Sequence, residues 1–208
     1  MSIVDKVIAA VTPLESDAAR AEARVKARAA AGTADWLALI LDHHVKIEAL
    51  FAKVDNAADA AAQRGALKEL ATLLTAHSIA EEAAIYPALA AADEESHATK
   101  AYAEQSAAKL QMGLLENLTP LSQEFTDKLD HIRSAVAHHV YEEEGTWFPK
   151  LMHSATVDQA RLTQRYQQEF DRYFGSNGTV RMPSADFTDA SPTEIRPERD
   201  TGPANRSM

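Results

Sequence analysis

One motif occurs twice in this chain, and it constrains the fold more than any other feature of the sequence. The first copy spans residues 77–87 and the second spans residues 139–149. Both copies read His-x-x-x-Glu-Glu-x-x-apolar-aromatic-Pro. A His and a Glu four residues apart lie on one face of an α-helix, one turn from each other. The repeat therefore predicts two helices that each present an imidazole and a carboxylate on the same face.

These polar faces continue stripes of apolar residues at helical spacing, which indicates that they point into a protein interior. A third stripe, earlier in the chain, carries a further His. The three sets are Ile40, His44, Ile47 and Phe51; Leu67, Leu70, Leu74, His77 and Glu81; and Phe125, Leu129, Ile132, Val136, His139, Glu143 and Trp147.

The spacing of prolines and apolar residues predicts four long helices, at about 34–55, 60–86, 94–118 and 121–148. Asp35 is the expected cap of the first helix, with Thr33 as the other candidate. Pro87 and Pro149 are expected to end the second and fourth helices. With short connections between them, four such helices predict an all-α, up-down four-helix bundle over residues 34–153.

Both ends of the chain differ from this central part. Residues 1–33 form a predicted N-terminal extension, in which residues 15–31 make a mostly solvated helix. Residues 154–208 form a predicted C-terminal extension, with a short helix at 157–174 and then an irregular tail rich in Gly and Pro. The tail has too few large apolar groups to offset the entropy of its own ordering.

The buried His and Glu residues predict a metal site. Burying an unpaired carboxylate costs several kcal/mol, and no Lys or Arg lies on these stripes near the site. A divalent or trivalent metal is therefore the simplest compensating charge. Imidazole nitrogen and carboxylate oxygen are ligands of first-row transition metals, and two bridged metals would neutralise the site best. Hydrogen-bonded core histidines are the alternative explanation.

Other acidic and His residues are weaker candidates for metal ligands. We expect Glu82, Glu142 and Glu144 to belong to solvated faces. His43 and His138 lie one residue off the stripes, as edge residues rather than ligands. His131, His138 and Glu142 share a neighbouring face as a minor candidate for a surface metal site, and His153 has no identified partner.

At this point the sequence resembles the hemerythrin-like, or HHE cation-binding, family. The segments that carry the resemblance are LDHHVKIEALF, LTAHSIAEEAAIYPAL, AYAEQSAAKLQMGLLENL and VAHHVYEEEGTWFPKL, covering about 36–151. The resemblance implies a non-haem di-iron centre in a four-helix bundle. It assigns the ligands His44, His77, Glu81, His139 and Glu143.

The third predicted helix departs from the family pattern. Gln105 stands where the resemblance calls for a His, within Tyr102-Ala-Glu104-Gln105. We include Gln105 in the predicted metal site, although an amide oxygen is a weaker ligand than imidazole. The iron position near Gln105 and His139 should therefore be the weaker one. His97 and Glu104 are the alternatives for the missing contact.

A ferritin-like di-iron site is disfavoured, because it needs two Glu-x-x-His motifs on bundle helices. The chain offers only Glu94-x-x-His97, near a predicted helix start.

Composition excludes several classes of protein. The chain has no Cys, so disulfides, thiolate metal sites and iron–sulfur clusters are impossible. Its net charge of −10 argues against a nucleic-acid binder. No segment has the roughly 20 apolar residues that cross a bilayer, and the first residues make a poor signal peptide. We therefore expect a cytoplasmic protein with no nucleic-acid or membrane partner.

Three functional hypotheses remain open from the sequence. The first is an iron-binding protein that takes dioxygen, nitric oxide or peroxide as its small ligand, as a sensor, an iron handler or a stress-response protein. The second is an enzyme that consumes peroxide or oxygen at a di-iron site. The third is a metal-poor bundle that acts through protein contacts made by its terminal extensions.

Overall fold

The computed structural model describes residues 15–92 and 94–175, and the predictions made for residues 1–14 and 176–208 lie outside these ranges. All regular elements in the described residues are helical. They are α1 (Asp17–Ala30), α2 (Trp36–Asp55), α3 (Ala60–Ala80), π1 (Glu81–Ile85), α4 (Tyr86–Ala91), α5 (Glu95–Leu115), α6 (Gln123–Glu142), π2 (Glu143–Trp147), α7 (Phe148–Met152) and α8 (Gln159–Phe174). The segments π1 and π2 are single π-helical turns inside otherwise continuous helices.

Four of these helices form the bundle that the sequence predicts. The side chain of Asp35 accepts a hydrogen bond from the backbone N–H of Ala38, so Asp35 is the predicted cap of α2. Helix α2 packs on α3 and α6, and α5 packs on α6. Helix α1 lies along α2 and π2, while α8 packs on α3, α2 and π1. Both flanking helices therefore contact the bundle near its π-helical turns.

The prediction that Pro87 and Pro149 end their helices is wrong. The helices continue past them to Ala91 and Met152, because a π-helical turn precedes each proline. Proline cannot donate the usual backbone hydrogen bond and its ring clashes with the carbonyl four residues earlier. The wider turn carries the chain past this defect through hydrogen bonds between residues five apart, such as the one from the N–H of Tyr86 to the carbonyl of Glu81.

The apolar core consists of two clusters with a polar layer between them. One cluster gathers large side chains such as Trp36, Trp147 and Phe148. The other surrounds Phe51 and Phe125. On α2, on α3 with π1, and on α6 with π2, the predicted His and Glu residues fall between members of the two clusters. The described helices include none with the length and apolarity needed to cross a bilayer.

Candidate metal centre

The five predicted His and Glu residues converge in the polar layer. All of them are buried, and His44, Glu81 and Glu143 are completely inaccessible. Two groups of possible ligand atoms form, each with its atoms within 4.8 Å of one another. One group contains His44, His77 and Glu81, and the other contains Glu81, His139 and Glu143. Glu81 belongs to both groups and therefore lies between two adjacent sites.

Each of the three His residues is oriented by a hydrogen bond at its Nδ1 atom. The partners are Glu144 Oε1 for His44 at 2.8 Å and Glu104 Oε2 for His139 at 2.8 Å. For His77 the partner is the Tyr166 hydroxyl at 3.2 Å. The Nε2 atoms lie 3.2–3.4 Å from carboxylate oxygens of Glu81 or Glu143. Hydrogen bonding of the remote ring nitrogen is the usual way in which proteins orient a metal-binding imidazole.

The sequence suggested that Glu144 belongs to a solvated face, and this expectation is wrong because Glu144 is buried. It is 1% exposed, and besides His44 it contacts Arg24, whose Nε donates to both carboxylate oxygens at 3.0 and 3.1 Å. The other guanidinium nitrogens of Arg24 bind Glu48. The compensating cation comes from α1, outside the bundle, so the apolar stripes gave no sign of it.

The third bundle helix, α5, contributes two side chains to the centre. Glu104, considered in the sequence as a substitute ligand, instead binds the outer nitrogen of His139. Gln105 is 4% exposed, and its Nε2 donates to Glu81 Oε2 at 2.6 Å. Gln105 therefore presents its amide N–H to a predicted ligand. Whether Gln105 itself coordinates a metal stays a prediction.

Tyr86 is a central residue of the site that the sequence analysis missed. Its hydroxyl lies 3.0 Å from Glu143 Oε1, 3.1 Å from His139 Nε2 and 3.3 Å from Glu81 Oε2. The signal was present, because Tyr86 is the aromatic residue of the repeated motif. The second copy has Phe148 there, so the two halves of the repeat are chemically unequal.

Burial and neighbouring charges shift the pKa values of the two central carboxyl groups, Glu81 and Glu143, in opposite directions. Burial, together with the charge of Glu143, raises the pKa of Glu81 well above its ordinary value. Burial alone would also raise the pKa of Glu143, but His139 and His44 outweigh it and lower that pKa. Burial would lower the pKa of His44, yet the carboxylates of Glu143 and Glu144 raise it to about 9. The two carboxyl groups thus differ, because the pKa of Glu81 is raised and that of Glu143 is lowered.

Two buried polar atoms of the site, Glu81 Oε1 and Gln105 Oε1, have no hydrogen-bond partner within the described residues. Two more, His44 Nε2 and Glu143 Oε2, face each other at 3.4 Å, which is long for a hydrogen bond. An unsatisfied buried polar atom costs about 1–3 kcal/mol, so these atoms in one layer need an explanation. All four belong to the predicted metal site, and His and carboxylate are the donor set expected for iron, zinc or manganese. The residues present therefore fit a bound metal.

The remaining predicted candidates lie outside these two groups. His43 is buried and binds the hydroxyl of Tyr166 at 2.8 Å. His97 pairs with Glu94 and stacks on Trp147, and His153 is exposed.

At the partly buried edge, the possible ligand atoms that converge are those of Glu104, His138 and Glu142, without His131. His138 also pairs with Glu15, and Lys100 with Glu142. Glu82 pairs with Lys109. Each of these side chains therefore already has an oppositely charged protein partner.

Comparisons with known proteins agree with this geometry. A sequence model of the hemerythrin HHE cation-binding domain matches residues 35–151, which is more than half of the chain. Among curated proteins, the chain is 28% identical over 130 residues to a DNA nickase of Nostoc sp. (strain PCC 7120 / SAG 25.82 / UTEX 2576). That match covers 62% of this chain and 36% of the relative, so the chain spans little more than a third of that protein's length. No solved structure matches the chain significantly.

Proposed function

The chain belongs to the hemerythrin HHE cation-binding family, and from that premise we propose that it binds a pair of iron ions and takes peroxide, dioxygen or nitric oxide as its small ligand. One observation supports the proposal most. Three imidazoles each form a hydrogen bond at Nδ1, while their Nε2 atoms face two buried carboxylates. A hydrogen-bonded apolar core has no need of this arrangement.

The proposed ligands divide into two sets. His44 and His77 serve one position and His139 serves the other, with Glu81 between them and Glu143 beside His139 and His44. The metal pair supplies redox chemistry and open coordination positions for a small ligand. The position of His139 has fewer protein ligands, because Gln105 replaces an imidazole, and we expect it to hold iron more weakly.

The surrounding residues limit contact with water and orient hydrogen bonds. Apolar clusters lie on both sides of the layer and shield the site along the helix axes. The Tyr86 hydroxyl can donate a hydrogen bond to Glu143 or Glu81. The carboxylates of Glu144 and Glu104 hold a proton on Nδ1 of His44 and His139, which leaves each Nε2 lone pair free for the proposed metal.

Iron stoichiometry tests the proposal directly. The purified chain should be stripped with a chelator, reconstituted with Fe(II) without oxygen, desalted and analysed for iron per chain. We expect more than one iron per chain, and a marked loss in His139→Ala and His77→Ala. The exposed His153→Ala is the matched control and should bind as the original chain does. Equal iron content in all four proteins would contradict the proposed site.

Two assays distinguish the functional alternatives. Reversible changes in the visible spectrum on adding and removing dioxygen or nitric oxide favour a binding protein, whereas multiple turnovers of peroxide favour an enzyme. Metal-free protein of unchanged stability favours the hypothesis of a bundle that works through protein contacts.

The similarity to a DNA nickase makes DNA cleavage a second candidate function. The net charge of −10 weighs against it, because phosphate contacts need a basic surface. Conversion of supercoiled plasmid to nicked circles by the iron-loaded chain, but not by His139→Ala, would support it.

A further inference from the structure

A cavity of about 460 Å³ lies between α3, α5 and α6, beside the candidate metal centre. Small-molecule sites in proteins have volumes of about 300–1,000 Å³, whereas a diatomic gas or hydrogen peroxide needs far less space. The cavity is therefore large for the small ligands considered so far. One of its lining residues, Ala103, is exposed, so the cavity reaches the surface along α5.

Much of the cavity wall is apolar, although Lys100, Glu104, His131 and His138 also line it. Helix α5 contributes alanines, including Ala107 and Ala108, whose small side chains leave the space open. Leu74 on α3 and Ile132 and Val136 on α6 form the opposite walls. This apolar part of the wall favours an apolar body in the bound molecule, because a charged group placed against it would lose its hydration without compensation.

The inner end of the cavity is polar and belongs to the candidate metal centre. Gln105, His77 and His139 all line it. Gln105 is 4% exposed, and because its Nε2 is used by Glu81, its Oε1 has no partner within the described residues. This buried acceptor is an independent sign of a ligand, since a lone buried carbonyl oxygen costs free energy until a donor reaches it.

We propose that this cavity binds an uncharged, largely apolar organic molecule that carries one hydroxyl or hydroperoxyl group, with the O–H donated to Gln105 Oε1. The apolar part of the molecule lies against the alanines of α5 and the aliphatic residues of α3 and α6. Its polar head lies beside His139, at the end of the cavity that the candidate metal centre forms.

An organic hydroperoxide combines this shape with the chemistry proposed for the centre. That choice of head group rests on the proposed function, whereas the binding of the apolar body does not depend on a metal. The substrate class of the site would then be organic hydroperoxides in preference to hydrogen peroxide, which has no apolar part to bury.

The test uses two ligands with the same ring system, 1-naphthol and 1-methoxynaphthalene, in oxygen-free solution. Only the first can donate a hydrogen bond. Equilibrium dialysis of each ligand against the full chain, both as purified and after chelator treatment, gives the two dissociation constants. We expect 1-naphthol to bind about 5- to 10-fold more tightly, from the usual net worth of one hydrogen bond.

Variants locate the bound molecule. Ala107→Leu fills the cavity and should weaken binding of both ligands about tenfold or more, through steric exclusion. Ala52→Leu places the same change at an exposed position of α2 and should leave both constants unchanged. Gln105→Met should abolish the difference between the ligands while retaining their binding. If that variant does not fold, the comparison of the two ligands on the original chain still tests the acceptor.

The outcomes separate this inference from the proposed function. If the chain binds 1-naphthol but takes up no iron, the cavity assignment stands and the proposed metal centre is refuted. Iron uptake together with equal affinity for the two ligands, or with no effect of Ala107→Leu, would overturn the cavity assignment and leave the metal centre standing.

Discussion

At the residue scale, the chemistry of the site depends on side chains that surround the repeated His and Glu. Tyr86 is the clearest example, since its one hydroxyl lies within hydrogen-bonding distance of three proposed ligands. Burial, followed by the charges of Glu143 and Glu81, raises the pKa of Tyr86 well above its ordinary value, so it remains a neutral phenol in the metal-free chain. It can therefore stabilise these carboxylates by hydrogen bonding.

Replacing Tyr86 by Phe should lower the free energy of unfolding of the metal-free chain by about 1–3 kcal/mol, because buried polar groups lose a partner. Urea unfolding of chelator-treated protein measures this. Tyr102→Phe is the matched control, since Tyr102 is 38% exposed and donates only to the carbonyl of Glu82. Equal losses in the two variants would show that the central hydroxyl has no special role.

Replacing Gln105 by His should raise iron stoichiometry towards two per chain and slow the loss of iron to a chelator. An imidazole at this position restores the ligand that the family resemblance calls for. Gln111→His serves as the control, because Gln111 is also buried on α5 but lies outside the ligand groups. If both variants keep the iron content and release rate of the original chain, position 105 is not a ligand position.

At the scale of the elements, each π-helical turn begins at a proposed ligand, Glu81 in π1 and Glu143 in π2. The turns carry the helices past Pro87 and Pro149, and Tyr86 and Trp147 are buried beside them. Sequence periodicity alone cannot show such a turn, because one extra residue changes the spacing only locally. π-helical turns occur often at functional sites, as in this case.

Helix α1 is the second element with a role at the site, through the contact of Arg24 with Glu144. Arg24→Met should lower the free energy of unfolding by about 1–3 kcal/mol, since it leaves a buried carboxylate without its cation. The exposed pair of Arg28 and Asp42 provides the control, and Arg28→Met should cost less than about 1 kcal/mol. Denaturant unfolding measures both.

A double variant separates this charge effect from loss of packing. Adding Glu144→Gln to Arg24→Met removes the unpaired charge and should restore part of the lost stability. If the two substitutions lower the free energy of unfolding additively, Arg24 contributes through packing of its aliphatic part.

At the scale of the whole molecule, the proposed ligands meet only in the folded chain, so metal binding should stabilise the fold. With iron at about 100 times Kd, removal of iron should lower the melting temperature by about 5–10 °C for a chain of this size. His139→Ala should melt near the metal-free value and respond less to iron. Unchanged melting after verified iron removal would favour a bundle that acts through protein contacts.

The sequence by itself determined the helical bundle and the inner layer of the candidate site. Apolar stripes and the repeated motif are local, since i and i+4 positions share a helix face whatever the rest of the chain does. For that reason His44, His77, Glu81, His139 and Glu143 could be named before their convergence was seen.

Tertiary structure alone decided what lies around that layer. Arg24 on α1 and Tyr166 on α8 reach the site from helices outside the bundle, at positions that no periodicity links to it. Glu144 is buried because α1 covers it, and the cavity beside Gln105 exists because alanines of α5 face aliphatic residues of two other helices. Such features depend on which surfaces meet, and a helical pattern specifies only the face that a helix buries.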